Sequence, residues 1–159
     1  MKKRMPTLFV GHGSPSNAIE DNPFSRTWSA LGETLPRPNA ILSISAHWFT
    51  RGTKVNDSPT PNMIYDMYGF PEELYQLKYP APGSPELAHR ARSLIGDFVS
   101  IDNNWGIDHG TWSVLNRVFP RADIPIVQLS VNTMLSMQEH YAIGQALRPL
   151  RDEGVLIFG

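Results

Sequence analysis

The sequence predicts an α/β protein built on a mostly parallel sheet with helices over both faces. Three observations carry that expectation. Short, continuously apolar or small runs alternate with longer segments of helical pattern, which marks strands buried on both faces. Helix start and stop residues stand at the right offsets around those segments. A chain of 159 residues, 41% apolar and 18% charged, suits a globular domain with a sizeable core.

In chain order, Thr7 to Val10 and Ala40 to Ala46 read as buried strands. Between them "NPFSRTWSALGETLPRP" reads as a helix, with Pro23 near its start and Pro36 and Pro38 beyond its end. The stretch from Arg51 to Pro82, rich in Pro, Tyr and Met, is a long irregular excursion, and long ordered loops are usually functional. "SPELAHRARSLIGDF" is a second helix, with Ser84 as N-cap and Pro85 at its first position. A short strand is expected from Val99 to Asp102, then a helix over "GTWSVLNRVFP" and a buried strand over "IPIVQLSV". "SMQEHYAIGQALRPLRDEG" reads as the last helix, ended by Gly154 and distorted near its end by Pro149. "VLIFG" begins another core strand. Ending there, the sequence reads as truncated, its remainder continuing the sheet.

Composition removes several function classes. Net charge is −1, which disfavours nucleic acid and other polyanions. No apolar run approaches the roughly 20 residues that cross a bilayer, and "MKKRMPTLFVGHG" is a basic flank before a strand, not a secretory signal. The expectation is a soluble cytoplasmic protein. With no cysteine, disulfides, thiolate metal sites and cysteine nucleophiles are out, so a metal would be held by His, Asp or Glu.

Two strand-like segments end at a histidine: His12 in "TLFVGHGSP" and His47 in "ILSISAHWF". In open parallel sheets ligands sit outside the carboxyl ends of the strands, so on neighbouring strands the two imidazoles make a candidate metal pair. Gly11 and Gly13 allow a sharp turn about His12, and Ser14 can cap locally. The competing reading is two histidines that merely close strand ends on carbonyls; spacing alone leaves both open. His109, in "WGIDHGTWSVL", belongs to the same edge if the strands are parallel, where it can relay protons. Asp108 reads first as a helix cap. His89 and His140 read as surface residues of helices. Tyr65, Tyr68, Phe70, Tyr75 and Tyr79 read as core first and as the wall of a flat-ring pocket second.

Five segments together, "LFVGHGSP", "SAHWF", "YGFPEELYQLKYPAPGSPELA", "WGIDHGTWSVL" and "DIPIVQLSV", strongly resemble the class III extradiol ring-cleavage dioxygenases, in the 4,5-DOPA extradiol branch of the LigB-like family. The resemblance runs along essentially the whole chain. It implies a three-layer α/β/α fold, of which residues 1–159 would be the N-terminal part of a single catalytic domain. It implies cleavage of a catechol by O₂ at a non-haem metal, functionally Fe(II), with Zn(II) able to take its place. By the same resemblance His12 and His47 are metal ligands, and His109 stands beside the ion for acid–base work or substrate hydrogen bonding. A family histidine in a G-N-x-x-H-N stretch and a later metal-site residue would lie beyond Gly159. Two readings stand against this one. "VGHGS" after a first strand also resembles class II chelatases, which insert metal into a tetrapyrrole, and a folded, non-catalytic metal-binding remnant would carry the same pair.

Overall fold

A computed structural model describes residues 4–159, so the first part of the basic flank, residues 1–3, lies outside it. Six strands form one sheet, and they are β1 (Thr7–Leu8), β2 (Ala40–Thr50), β3 (Lys54–Val55), β4 (Ser100–Ile101), β5 (Ile126–Asn132) and β6 (Val155–Phe158). Their spatial order is β1-β6-β2-β5-β3-β4, and every pairing is parallel except β3 with β5. The α/β class with a mostly parallel sheet is as the sequence implies. Among the described residues no helix is long and apolar enough to cross a membrane.

The sheet corrects one expectation. β1 and β2, the strands leading to His12 and His47, are not neighbours. β6 lies between them, pairing Thr7 with Ile157 on one side and Ala40 with Val155 on the other. The reason is its composition: Val155, Leu156 and Phe158 are all buried, and such a strand belongs inside a sheet.

Helices α1 (Pro23–Thr34) and α4 (His109–Val118) pack with one face of the sheet. Asn22 starts α1 with a reciprocal capping box to Ser25. The core there is aromatic: Trp28, Trp112, Tyr79 and Phe119 close on Ile41, Ile126, Leu156 and Phe158. The other face carries α3 (Pro85–Ile95), capped by Ser84, and α5 (Met137–Ala146). Pro149 does more than distort the last helix. Lacking an N–H, it cannot continue α5, and a separate turn, α6 (Pro149–Asp152), follows. Gly154, at φ 85°, then swings the chain into β6.

The excursion from Arg51 to Pro82 contains β3 and the short helix α2 (Glu72–Gln76), both missed by periodicity because two and five residues are too few to show a period. Between them, Met63 bridges to Ile107, which ties this excursion to the segment leading into α4.

Candidate metal centre

Each histidine is placed by a different local device. His12 follows β1, where Val10 N–H donates to the Gly159 carbonyl at 2.7 Å. The chain then turns through Gly13, at φ 61°, into a 3-10 turn (Pro15–Ala18) whose N-cap is Ser14, accepting from Ser16 N–H at 3.2 Å. Asn17 secures the turn by donating to the His12 carbonyl at 3.1 Å.

His47 lies inside β2 rather than after it. Pairing with β5 runs in step to Ile44↔Leu129 and resumes at Phe49↔Val131, five steps along β2 against two along β5. Such an irregularity re-aims side chains. Here it holds His47, whose N–H donates to Ser45 Oγ at 3.2 Å.

His109 is the first residue of α4 and is buried, at 6% exposure. Gly110 is what lets that helix start come so close. A Cβ there would stand 2.8 Å from His47 Cδ2 and 2.9 Å from Ser45 Oγ, well inside ordinary contact.

The three imidazoles converge. His12 Nε2 and His47 Nε2 are 2.8 Å apart, slightly closer than the roughly 3 to 4 Å expected across an ion with metal–nitrogen bonds near 2.1 Å. The His109 ring centroid lies 4.1 Å from that of His47 and 5.1 Å from that of His12. One ring nitrogen from each residue falls within a set spanning no more than 4.8 Å. Burial, then the neighbouring His109 and His47, push the His12 imidazole below its ordinary pKa of 6.5. A neutral imidazole with a free lone pair is the form that binds metal.

Two carboxylates lie against the cluster. Asp108 occupies the N-cap position of α4, yet its side chain makes no capping bond. It is fully buried and accepts instead from Ser45 Oγ at 2.8 Å, Trp105 Nε1 at 3.1 Å and the Gln128 amide. The cap reading of Asp108 is thus overturned: three donors from β2, β5 and the α4 approach outcompete the helix's own N–H groups. Burial pushes its carboxyl up, against the pull of those donors. Asp66, in the loop before α2, accepts from the backbone N–H of His109 at 3.0 Å, taking the capping role from a distance. Its Oδ1 is 2.9 Å from His109 Nδ1, and its Oδ2 is 3.7 Å from His47 Nδ1. Burial alone would raise the Asp66 carboxyl; its contacts with His109 hold it below the ordinary value.

The remaining candidates stay out of the cluster. His89 pairs with Asp57 at 3.0 Å on the surface, and His140 Nε2 is 3.0 Å from the Asn132 carbonyl. Tyr79 is a buried core residue that donates to the Phe119 carbonyl, and Tyr65, partly buried, packs against Trp112 at the edge of the core. Tyr68 is 92% exposed. Asp66, Gly110, Ser45 and Gln128 were not singled out from the sequence. Only Gly110, directly after His109, carried a local hint.

Comparison with known proteins places the chain in a family. Residues 7–159 match the family described as the catalytic LigB subunit of aromatic ring-opening dioxygenase. The chain is 53% identical over 156 residues to a 4,5-DOPA dioxygenase extradiol of Escherichia coli strain K12, covering 97% of this chain and 58% of that protein. It is 48% identical over 160 residues to a 4,5-DOPA dioxygenase extradiol of Beta vulgaris, covering 96% of this chain and 60% of that one. A crystal structure of an uncharacterized Escherichia coli K12 protein superposes with a TM-score of 0.81 at 48% identity, over 98% of this chain and 59% of that chain. The chain thus spans about six tenths of the length of the curated relatives it matches. Its family is the one those motifs implied: the chain belongs to the LigB family of aromatic ring-opening dioxygenases.

Proposed function

We propose that His12 and His47 hold a divalent metal, Fe(II) in function and Zn(II) as a substitute, for extradiol opening of a catechol ring by O₂, such as 4,5-cleavage of DOPA. The observation that carries this reading is the meeting of His12 Nε2 and His47 Nε2, from separate strands, at 2.8 Å beside a third imidazole. The donor set fits: nitrogen ligands suit iron and zinc, and too few of them are present to close the coordination sphere. When bound, the ion supplies Lewis acidity to the catechol oxygens and redox capacity toward O₂. The chain's own residues do the rest. His12, kept neutral by burial, offers its lone pair at lower pH than an ordinary imidazole would. His109 is the acid–base group, taking a catechol proton at its ring nitrogen within the same cluster. Asp108 and its donors lock β2, β5 and α4 together behind the histidines. The family match over residues 7–159 favours ring cleavage over tetrapyrrole chelation.

Anaerobic titration of the chain with Fe(II), with Zn(II) in parallel, tests the reading directly. One ion per chain is expected, with binding lost in His12→Ala and in His47→Ala. His109→Ala is expected to keep the ion and to lower ring opening of DOPA by about 10² to 10⁴-fold where opening is measurable, as for a lost acid–base group. Loss of the ion from the His109 variant would make that residue a ligand, and a wild-type chain that binds neither metal would overturn the proposal.

A further inference from the structure

We propose that Asp66 is a positioning residue that fixes His109 with its proton on Nδ1 and its Nε2 free for the imidazole cluster. The inference deepens the metal-site reading above and rests on it for its functional meaning. Its structural basis is separate.

Asp66 belongs to neither the sheet nor α4. The excursion between β3 and α2 brings it in, held in place by the Ile64 N–H bond to the Ile107 carbonyl at 2.8 Å and by the Trp112 Nε1 bond to the Ile64 carbonyl at 2.9 Å. Its side chain is 14% exposed. One oxygen, Oδ1, meets both the backbone N–H of His109 at 3.0 Å and the ring Nδ1 at 2.9 Å. The ring contact is short in distance but falls outside hydrogen-bond geometry, so it stands as a close charge contact. Among the described residues no other atom bonds that nitrogen, and it is shut away from water. A carboxylate only accepts, so the nitrogen it faces must carry the proton. Neutral imidazole has a single N–H, which leaves Nε2 as a bare lone pair. That is the form a proton acceptor needs, and a carboxylate behind a histidine is a recurrent means of setting it.

The second oxygen extends the argument. Oδ2 lies 3.7 Å from His47 Nδ1, while His47 Nε2 faces His12. Asp66 therefore stands against two members of the cluster and, for His47, on the nitrogen opposite the one that faces His12. Asp108 is unsuited to this task because three donors already occupy its carboxylate. The two carboxylates divide the work: Asp108 joins elements, and Asp66 orients rings.

The test is long-range ¹H–¹⁵N NMR of the histidine rings in the 159-residue chain, with His109→Ala supplying the assignment. Wild type, Asp66→Ala and Asp66→Ser are compared, metal-free and with Zn²⁺. The wild-type chain should show His109 as a single Nδ1–H tautomer. In both variants that tautomer should give way to a mixture, the serine hydroxyl being too short to reach Nδ1. Zn²⁺ stoichiometry should hold at one per chain with affinity lowered about tenfold, because the lost carboxylate also stands 3.7 Å behind the ligand His47. An unchanged Nδ1–H tautomer in the variants would overturn the proposal. If the alanine chain does not fold, the serine chain carries the same readout. A wild-type chain that takes up no Zn²⁺ would instead overturn the metal reading, since the tautomer is also read in the metal-free chain.

Discussion

The two faces of the sheet are covered in unequal ways. On one, α4 buries seven of its ten residues, and Trp112 and Leu115 are fully enclosed against Ile41, Ile126 and Leu156. On the other, α5 has equal length and buries none. An apolar cavity of about 900 Å³ opens there, walled by Ile44, Leu129, Ile143, Leu147 and Ile157 and reaching His12 and His47. The strands do not explain the contrast, because β2, β5 and β6 send apolar side chains to both faces. The helices do. α4 carries Trp112, Val114, Leu115 and Val118, whereas α5 offers Ile143 beside His140, Gly144 and a Tyr141 that is 68% exposed. His109 stands on the anchored helix. His12 and His47, by contrast, border the cavity, so the three imidazoles meet where the closed and the open face adjoin.

Substitutions can break or sharpen this contrast. Trp112→Ala should have the largest effect, a loss of about 3 to 5 kcal/mol of stability in chemical denaturation, from a large buried side chain that also donates to Ile64. Gly110→Ala comes next. Its Cβ would push on His47 and Ser45, costing about 1 to 3 kcal/mol as overpacking, and Zn²⁺ affinity measured by calorimetry should fall with it. Ile143→Ala should cost under about 1 kcal/mol, because its side chain borders open space; a cost equal to that of a closed-face residue would erase the contrast. Asp102→Asn should be the smallest. Lys54 Nζ lies 2.6 Å from this carboxylate and bridges β3 to β4 at the sheet edge, a partly exposed pair worth about 0.5 kcal/mol. Lys54 holds the Asp102 carboxyl below its ordinary 3.8, so its contribution is full above that pH and vanishes as pH falls through the lowered value. Denaturation midpoints of the two chains should differ at pH 7 and converge in strong acid.

The sequence showed the parallel sheet and most helices because their signals are local. Asn22, Ser84 and Ser136 cap helices through contacts three residues away, and Pro23 and Pro85 stand where a missing N–H is harmless. The three histidines were legible as a group from strand-end position and family motif. What brings them together was not. β6 between β1 and β2, the irregular pairing around His47 and the turning of Asp108 away from its helix all depend on partners dozens of residues distant. Asp66 shows the limit most clearly. Nothing in "MIYDMYGF" marks its carboxylate for a histidine 43 positions later.

The place of β6 has a consequence for the order of assembly. β1 ends four residues before His12, yet among the described residues its one partner in the sheet is the strand around Ile157, about 150 residues along the chain. Contacts of such sequence separation are the slow ones in folding, because a long loop must close before they form. His47 and His109 can meet once α4 packs, whereas the strand before His12 gains its sheet partner only with Val155–Phe158. A metal that needs both His12 and His47 would therefore favour chains in which β1 has already found β6.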